Sequence, residues 1–226
     1  SLPTSNNVQK ASINYAHDRI AYKPQFGGNL VVIDTAGTQL EVVPSSSNVT
    51  YFDWHANNQT LYMLEGSIVK FHGPSVIVPY LNLFDAHPYF GTNDYPSLAV
   101  LPDGSLAFGL INNSGSTNYI GFRIAYSPGS SSLNDHNLPA ASQYPEVIRA
   151  SEDGNRLFVL DGSTIGTFDS YFATQFSSIT SSIRSGAMSP DGQKFVYIQE
   201  GGDAIILHNS GSYLSIGFGN VTDMDW

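Results

Sequence analysis

A short phrase recurs five times along this chain: a small or apolar strand, a tight polar turn, then a second apolar strand. The clearest copy is Ala187-Met188-Ser189-Pro190-Asp191-Gly192-Gln193-Lys194-Phe195-Val196-Tyr197. Ala150-Ser151-Glu152-Asp153-Gly154-Asn155-Arg156-Leu157-Phe158-Val159 and Val100-Leu101-Pro102-Asp103-Gly104-Ser105-Leu106-Ala107-Phe108 read as residue-for-residue matches at the turn. Asp53-Trp54-His55-Ala56-Asn57-Asn58-Gln59-Thr60-Leu61-Tyr62 is a fourth copy, with Asn57-Asn58 in place of Asp-Gly. Asn14-Tyr15-Ala16-His17-Asp18-Arg19-Ile20-Ala21-Tyr22 is a fifth and reads as one residue shorter, with His17-Asp18 as its turn. With the turn Asp or Asn as marker (18, 57, 103, 153, 191), the spacings are 39, 46, 50 and 38. Internal repeats of this length signal an array of similar units.

Each unit reads as four strands. The first divides into 11–16, 19–23, 29–34 and 39–43; the second into 49–54, 60–64, 67–71 and 76–80. The third gives 97–101, 105–111 and 119–126 with a poor fourth strand, and 127–144, rich in Ser, Gly and Asn, reads as a mobile rim loop. The fourth gives 146–150, 156–160, 164–168 and 175–179; the fifth 185–189, 194–199, 204–208 and 213–218. Helical periodicity is absent. An all-β chain of about 40-residue, four-stranded antiparallel units is expected to be a β-propeller. The expectation is a single domain over 1–226, with blades near 11–43, 49–80, 97–126, 146–179 and 185–218. A closing strand at 221–226 would complete the ring, since an unclosed ring leaves exposed edges. Five blades are favoured; six is the alternative, with the rest of the sixth outside this sequence.

Ser189-Pro190-Asp191-Gly192, a basic residue and an apolar strand recur with Gly–apolar–Asp–Thr/Ala–Gly, as in Asn29-Leu30-Val31-Val32-Ile33-Asp34-Thr35-Ala36-Gly37. This phrase resembles the repeats of TolB-like, WD40-like propellers. The resemblance covers most of the chain and is carried best by the first and fifth units. It implies a protein-docking platform, or a propeller domain attached to an enzyme.

Composition narrows the function. A net charge of −10 with nine scattered Lys and Arg argues against a nucleic-acid partner, which needs clustered cations. No apolar run approaches membrane-helix length. No charged, apolar, then small-residue leader opens the chain, which implies that any leader has been removed. Cysteine is absent, so neither a disulfide framework nor thiol chemistry is expected. Only 12% of residues are charged amid abundant Ser, Thr, Asn and Gly, which suggests an extracytoplasmic location: periplasmic, cell-surface or secreted. Sequons at Asn48, Asn58, Asn112 and Asn220 match the number chance gives in so polar a chain and decide nothing.

Candidate chemistry is sparse. Asp-Gly at the turns lacks the alternating carboxylates and distant Glu of a calcium loop and reads as tight-turn chemistry. Gly162-Ser163-Thr164-Ile165-Gly166 has Thr at the centre and no following helix, so it is no nucleophile elbow. His17, His55, His72, His87, His136 and His208 lack zinc spacing and read as surface or turn residues. Asp53, Asp85, Asp94, Asp223 and Asp225 are the carboxylates to consider for a paired-acid site, with Asp223 and Asp225 on one strand face. No catalytic residue, metal or cofactor is expected.

The aromatic-rich junction at 80–96 carries the functional expectation. Tyr80, Phe84, His87, Tyr89, Phe90 and Tyr95 crowd into it, and Tyr144-Pro145 echoes Tyr95-Pro96 ahead of a later strand. Two roles fit: a stacking platform in which rings and amides take a ligand, or a plug packed over the barrel mouth. The expected function is a non-catalytic module that docks a protein partner on this aromatic rim. A carbohydrate-binding propeller is the alternative, but a lectin tends to repeat its site in every blade.

Overall fold

The computed structural model describes residues 8–24, 28–45, 49–66, 68–73, 76–82, 97–112, 118–127, 130–137, 146–161, 164–180, 183–199, 204–208 and 213–216. Every described element is a strand, and the strands form four-stranded antiparallel sheets in simple sequential order. Sheet 1 is β1 (Val8–Ile13), β2 (Arg19–Pro24), β3 (Leu30–Asp34) and β4 (Gln39–Val43). Sheet 2 is β5 (Val49–Trp54), β6 (Leu61–Glu65), β7 (Ile68–Gly73) and β8 (Val76–Asn82). Sheet 3 is β9 (Ser97–Val100), β10 (Leu106–Asn112), β11 (Asn118–Ser127) and β12 (Ser130–Asn137). Sheet 4 is β13 (Glu146–Ala150), β14 (Arg156–Asp161), β15 (Thr164–Asp169) and β16 (Gln175–Thr180). Sheet 5 is β17 (Ile183–Met188), β18 (Lys194–Gln199), β19 (Ala204–His208) and β20 (Tyr213–Ile216).

The chain divides into two compact units, Ser1–Tyr95 with sheets 1 and 2 and Pro96–Trp226 with sheets 3 to 5. In the first, β1 lies beside β5; in the second, β13 contacts both β9 and β17. First strands therefore meet inside each unit, and the fourth strand of every sheet is the far edge.

Side-chain alternation explains why β14 is apolar at every position from Leu157 to Leu160. On β14, Leu157 and Val159 join Ala99, Leu101, Ala107 and Phe168 toward sheet 3. The intervening Phe158 and Leu160 pack with Phe195, Tyr197 and Met188 of sheet 5. Successive side chains of a strand point to opposite faces, so a sheet between two others needs hydrophobic residues at every position. Phe158 meets Phe195 edge-on at 5.8 Å between centroids, a favoured aromatic geometry. In the first unit, Trp54, Phe52, Leu61 and Met63 close on Leu30, Val32 and Val43. The Trp54 indole N–H donates to the Ser12 carbonyl at 3.1 Å, so a buried polar atom is satisfied across the two sheets.

Two expectations are corrected here. The 127–144 segment is not loop throughout, because Ser130–Asn137 forms β12 and pairs with β11 from Ile120↔Asn137 to Ser127↔Ser130. The repeat register also changes. Ile13 pairs with Ile20 and Met188 with Phe195, so six residues separate the strands in both copies. Val100 pairs with Leu106, leaving five, so the third copy is the short one and the first has full length. In the first copy His17 (φ 57°) occupies the left-handed position that Gly192 (φ 65°) holds in the fifth, and Asp18 lies one place beyond it.

Candidate functional site

Antiparallel order puts the turn between first and second strands at the same end of a sheet as the turn between third and fourth. This turn end is where the repeat's polar residues collect. In the fifth copy the Ser189 hydroxyl donates to Asp191 Oδ1 at 2.6 Å and accepts from the Lys194 N–H at 2.9 Å. Asp191 Oδ1 also accepts the Gln193 N–H at 3.0 Å. Ser151, Asp153, Asn155 and Arg156 repeat these contacts in the fourth copy. In the first copy Asn14 takes the serine's place: its Oδ1 accepts from the Asp18 and Arg19 N–H groups, both at 3.0 Å. Asp103 accepts the Ser105 N–H at 2.9 Å in the short copy.

The Ser189 hydroxyl and the Gln193 N–H hold the Asp191 carboxyl below the usual carboxylate range, aided by Lys194 and opposed by slight burial. Partial burial pushes Asp153 up, but Ser151, Asn155 and Arg156 together outweigh it and the carboxyl sits below its ordinary value. Asp34 is lowered chiefly by the Thr38 N–H. These carboxylates are committed to hydroxyl, amide and backbone N–H donors of their own turns, which is turn chemistry rather than acid–base chemistry.

Adjacent turns are stitched together within each unit. Ala16 N–H donates to Asn58 Oδ1 at 2.7 Å, and Glu152 N–H donates to the Pro190 carbonyl at 2.7 Å. A Cβ placed on Gly154 would lie 2.9 Å from Pro102 Cδ, so the third and fourth turns touch there.

The turn between β15 and β16 is built differently. Asp169 Oδ1 accepts the Tyr171 N–H at 3.0 Å and the Ala173 N–H at 2.8 Å. Phe172 takes the left-handed conformation (φ 59°) and buries its ring 6.1 Å from that of Phe168. Tyr171 and Phe176 stay 44% exposed on either side of that anchor. The Arg156 guanidinium lies 3.9 Å over the Phe176 ring, and Ser170 N–H donates to the Asn155 carbonyl at 3.0 Å. Tyr171 and Phe176 were not legible as site residues, because the turn lacks the glycine that marks its counterparts.

Of the residues expected to form the aromatic rim, Tyr80 lies on β8 at the register shift between Leu81↔Val69 and Pro79↔Lys70. Phe84, His87, Tyr89, Phe90, Tyr95 and Tyr144 lie outside the described residues, as do Asp85, Asp94, Asp223 and Asp225. Asp53 accepts the Ser12 hydroxyl at 2.9 Å and its neighbour Trp54 N–H at 2.9 Å. His17 and His55 are turn residues, and His55 Nδ1 accepts the Asn57 N–H. His72 departs from the expected surface or turn setting: it is buried on β7, with Nε2 2.8 Å from Glu41 Oε1 of sheet 1. Thr164 to Gly166 continue β15 in ladder pairing with β16, a strand path rather than an elbow. Among the described residues no three His, Cys, Asp or Glu side chains come together as a metal site, and no helix is long and apolar enough to cross a membrane.

No protein-family model matches the sequence, and no curated protein matches it either. Solved structures do match the fold. The β-propeller domain of Myceliophteria thermophila Cps50 (Swd1) superposes with a TM-score of 0.72 at 14% identity, over 97% of this chain and 77% of that one. A chain of the mitotic checkpoint complex gives 0.67 at 14% identity, over 100% and 72%. The chain folds as a β-propeller. Streptogramin B lyase matches as well, with a TM-score of 0.65 at 12% identity over 96% and 70%.

Proposed function

We propose that this chain is a non-catalytic recognition module, a single propeller domain that docks a protein partner. The observation that carries the reading is the contrast between its polar and apolar surface groups. Turn carboxylates and hydroxyls are engaged in internal hydrogen bonds, while Leu40, Val42, Tyr171, Phe176 and Leu214 stand at 43–60% exposure on fourth strands and turns. Rigid scaffolds with exposed aromatic and aliphatic anchors suit protein interfaces. A relative in fold belongs to a multiprotein assembly by its name, the mitotic checkpoint complex, which supports the reading; another is named as a lyase.

The finer assignment rests on the sequence. The repeat phrase resembles those of TolB-like propellers, and five blades would accommodate the five phrases. The aromatic junction around Tyr80, Phe84, His87, Tyr89, Phe90 and Tyr95, with Tyr144, is the proposed docking rim. The weakly charged composition, rich in Ser, Thr, Asn and Gly, fits an extracytoplasmic setting. The test compares the wild-type chain with Tyr89→Ala/Phe90→Ala in capture of cross-linked partners and on a glycan array. The expected result is a protein captured about tenfold less well by the variant, whose melting stays cooperative. Saturable glycan binding that the variant loses would make the chain a lectin instead.

A further inference from the structure

We propose that the turn end of sheet 4, around Tyr171 and Phe176, is a second docking surface whose occupant is a basic peptide segment of a partner protein. The inference rests on the protein-docking reading and adds a location and a partner chemistry.

Three observations converge on it. The first is a pair of large aromatics flanking one hairpin turn, each 44% exposed. The turn displays them by construction: Phe172 is buried in a left-handed conformation that a bulky side chain adopts only under constraint, and Asp169 clamps the backbone on both sides of it. The second is that one of these rings already holds a cation. Arg156 stacks 3.9 Å over Phe176, so the ring face suits a guanidinium, and Tyr171, 44% exposed at the same turn, is a second ring of the kind that takes a cation.

The third is charge. Glu152, Asp153 and Asp191 are exposed on the turns stitched to this one through Asn155 and Pro190, and Asp169 sits at its base. Asp153 and Asp191, as ordinary carboxylates, are ionised at neutral pH. Against these carboxylates the same turns carry Arg156, already seated on Phe176, and Lys194. An aromatic pair in a negative field selects Lys and Arg side chains on a partner, and the chain's net charge of −10 reinforces that choice.

The experiment titrates the full chain into fluorescein-labelled peptides of alternating Arg and Ser, Lys and Ser, or Glu and Ser, read by anisotropy at several salt concentrations. The expected result is binding of both basic peptides that weakens with salt, no binding of the acidic one, and about tenfold weaker binding by Tyr171→Ala/Phe176→Ala. Glu152→Lys, which leaves the aromatics and the Asp169 turn intact, is expected to weaken binding by roughly threefold. Equal binding of acidic and basic peptides, or no binding of either, would overturn the inference. So would binding that survives the Tyr171/Phe176 change and is lost in Tyr89→Ala/Phe90→Ala, a result that leaves the docking reading standing. Failure of the docking reading shows separately, as a wild-type chain that captures no protein in the cross-linking experiment.

Discussion

The residue that does most at each turn is the one in the left-handed conformation. Gly192 (φ 65°) leaves little room for a side chain: a Cβ would crowd the Cβ atoms of both Ser151 and Arg156 at 3.1 Å. Gly192→Ala is therefore expected to lose about 2 kcal/mol in denaturant unfolding, from the backbone conformation and the crowding together. His17 (φ 57°) holds the equivalent place in the first copy, and its side chain is exposed. His17→Gly should relieve the strain and raise stability by about 0.5 kcal/mol, after the entropy that glycine costs. A loss there would contradict the corrected register. The lowered carboxyls give the acid response its sign. Asp153 and Asp191 titrate lower in the fold than in the unfolded chain, so the unfolded state takes up protons first as pH falls. Their contribution is present above the unfolded value near 4 and disappears as pH drops through the folded one. Melting followed from neutral pH down to about 3 should show a shallower acid decline in Asp191→Ala than in wild type.

At the scale of elements, what was readable depended on whether the cause is local. Asp103-Gly104, Asp153-Gly154 and Asp191-Gly192 announce themselves because Asp captures nearby N–H groups and Gly supplies the positive φ. β14 was readable because its Leu157–Leu160 run is apolar at every position, as a sheet packed on both faces requires. β12 was not: its sequence, Ser130 to Asn137, has one apolar residue, and its strand form comes from pairing along β11. Nor was the turn after β15, where Phe172 takes the conformation usually left to Gly because its ring gains a buried place beside Phe168. Burial of His72 against Glu41 likewise depends on a contact between sheets that no local pattern encodes. Two substitutions separate the seams. Phe158→Ala on β14 should cost about 3–5 kcal/mol, since its ring is fully buried against Phe195. Lys23 on β2 is 6% exposed, and its ammonium donates to the Val49 carbonyl. Burial lowers its pKa despite the nearby Glu65, so the fold disfavours the charged form. That cost is present at neutral pH and fades as pH rises through the folded value. Lys23→Met should then be neutral or raise the denaturant midpoint, and a loss above about 1 kcal/mol would show that the carbonyl bond outweighs desolvation.

For the molecule as a whole, charge and repetition act on different properties. Repetition sets the fold: five phrases give five sheets among the described residues, each with its first strand inward within its unit and its fourth at the far edge. Charge acts on encounter. A surplus of ten negative charges on a surface with few ionic groups in all projects an attractive field over roughly a Debye length toward basic partners, and repels acidic ones. Such a field speeds encounter more than it strengthens the final contact, because solvent-exposed charges contribute little once docking is complete. In the proposed docking mode the aromatics act in the opposite way, holding the partner through desolvated contacts that salt screens far less than exposed charges. Stopped-flow association with a captured partner should therefore slow about tenfold between low and physiological ionic strength, while the dissociation rate changes by less than about twofold. Tyr171→Ala/Phe176→Ala should show the converse, a faster dissociation rate with the salt dependence of association retained. If salt instead moved the dissociation rate and left association untouched, the carboxylates would be making contact within the docked complex, and the division of labour between charge and aromatic surface would be wrong.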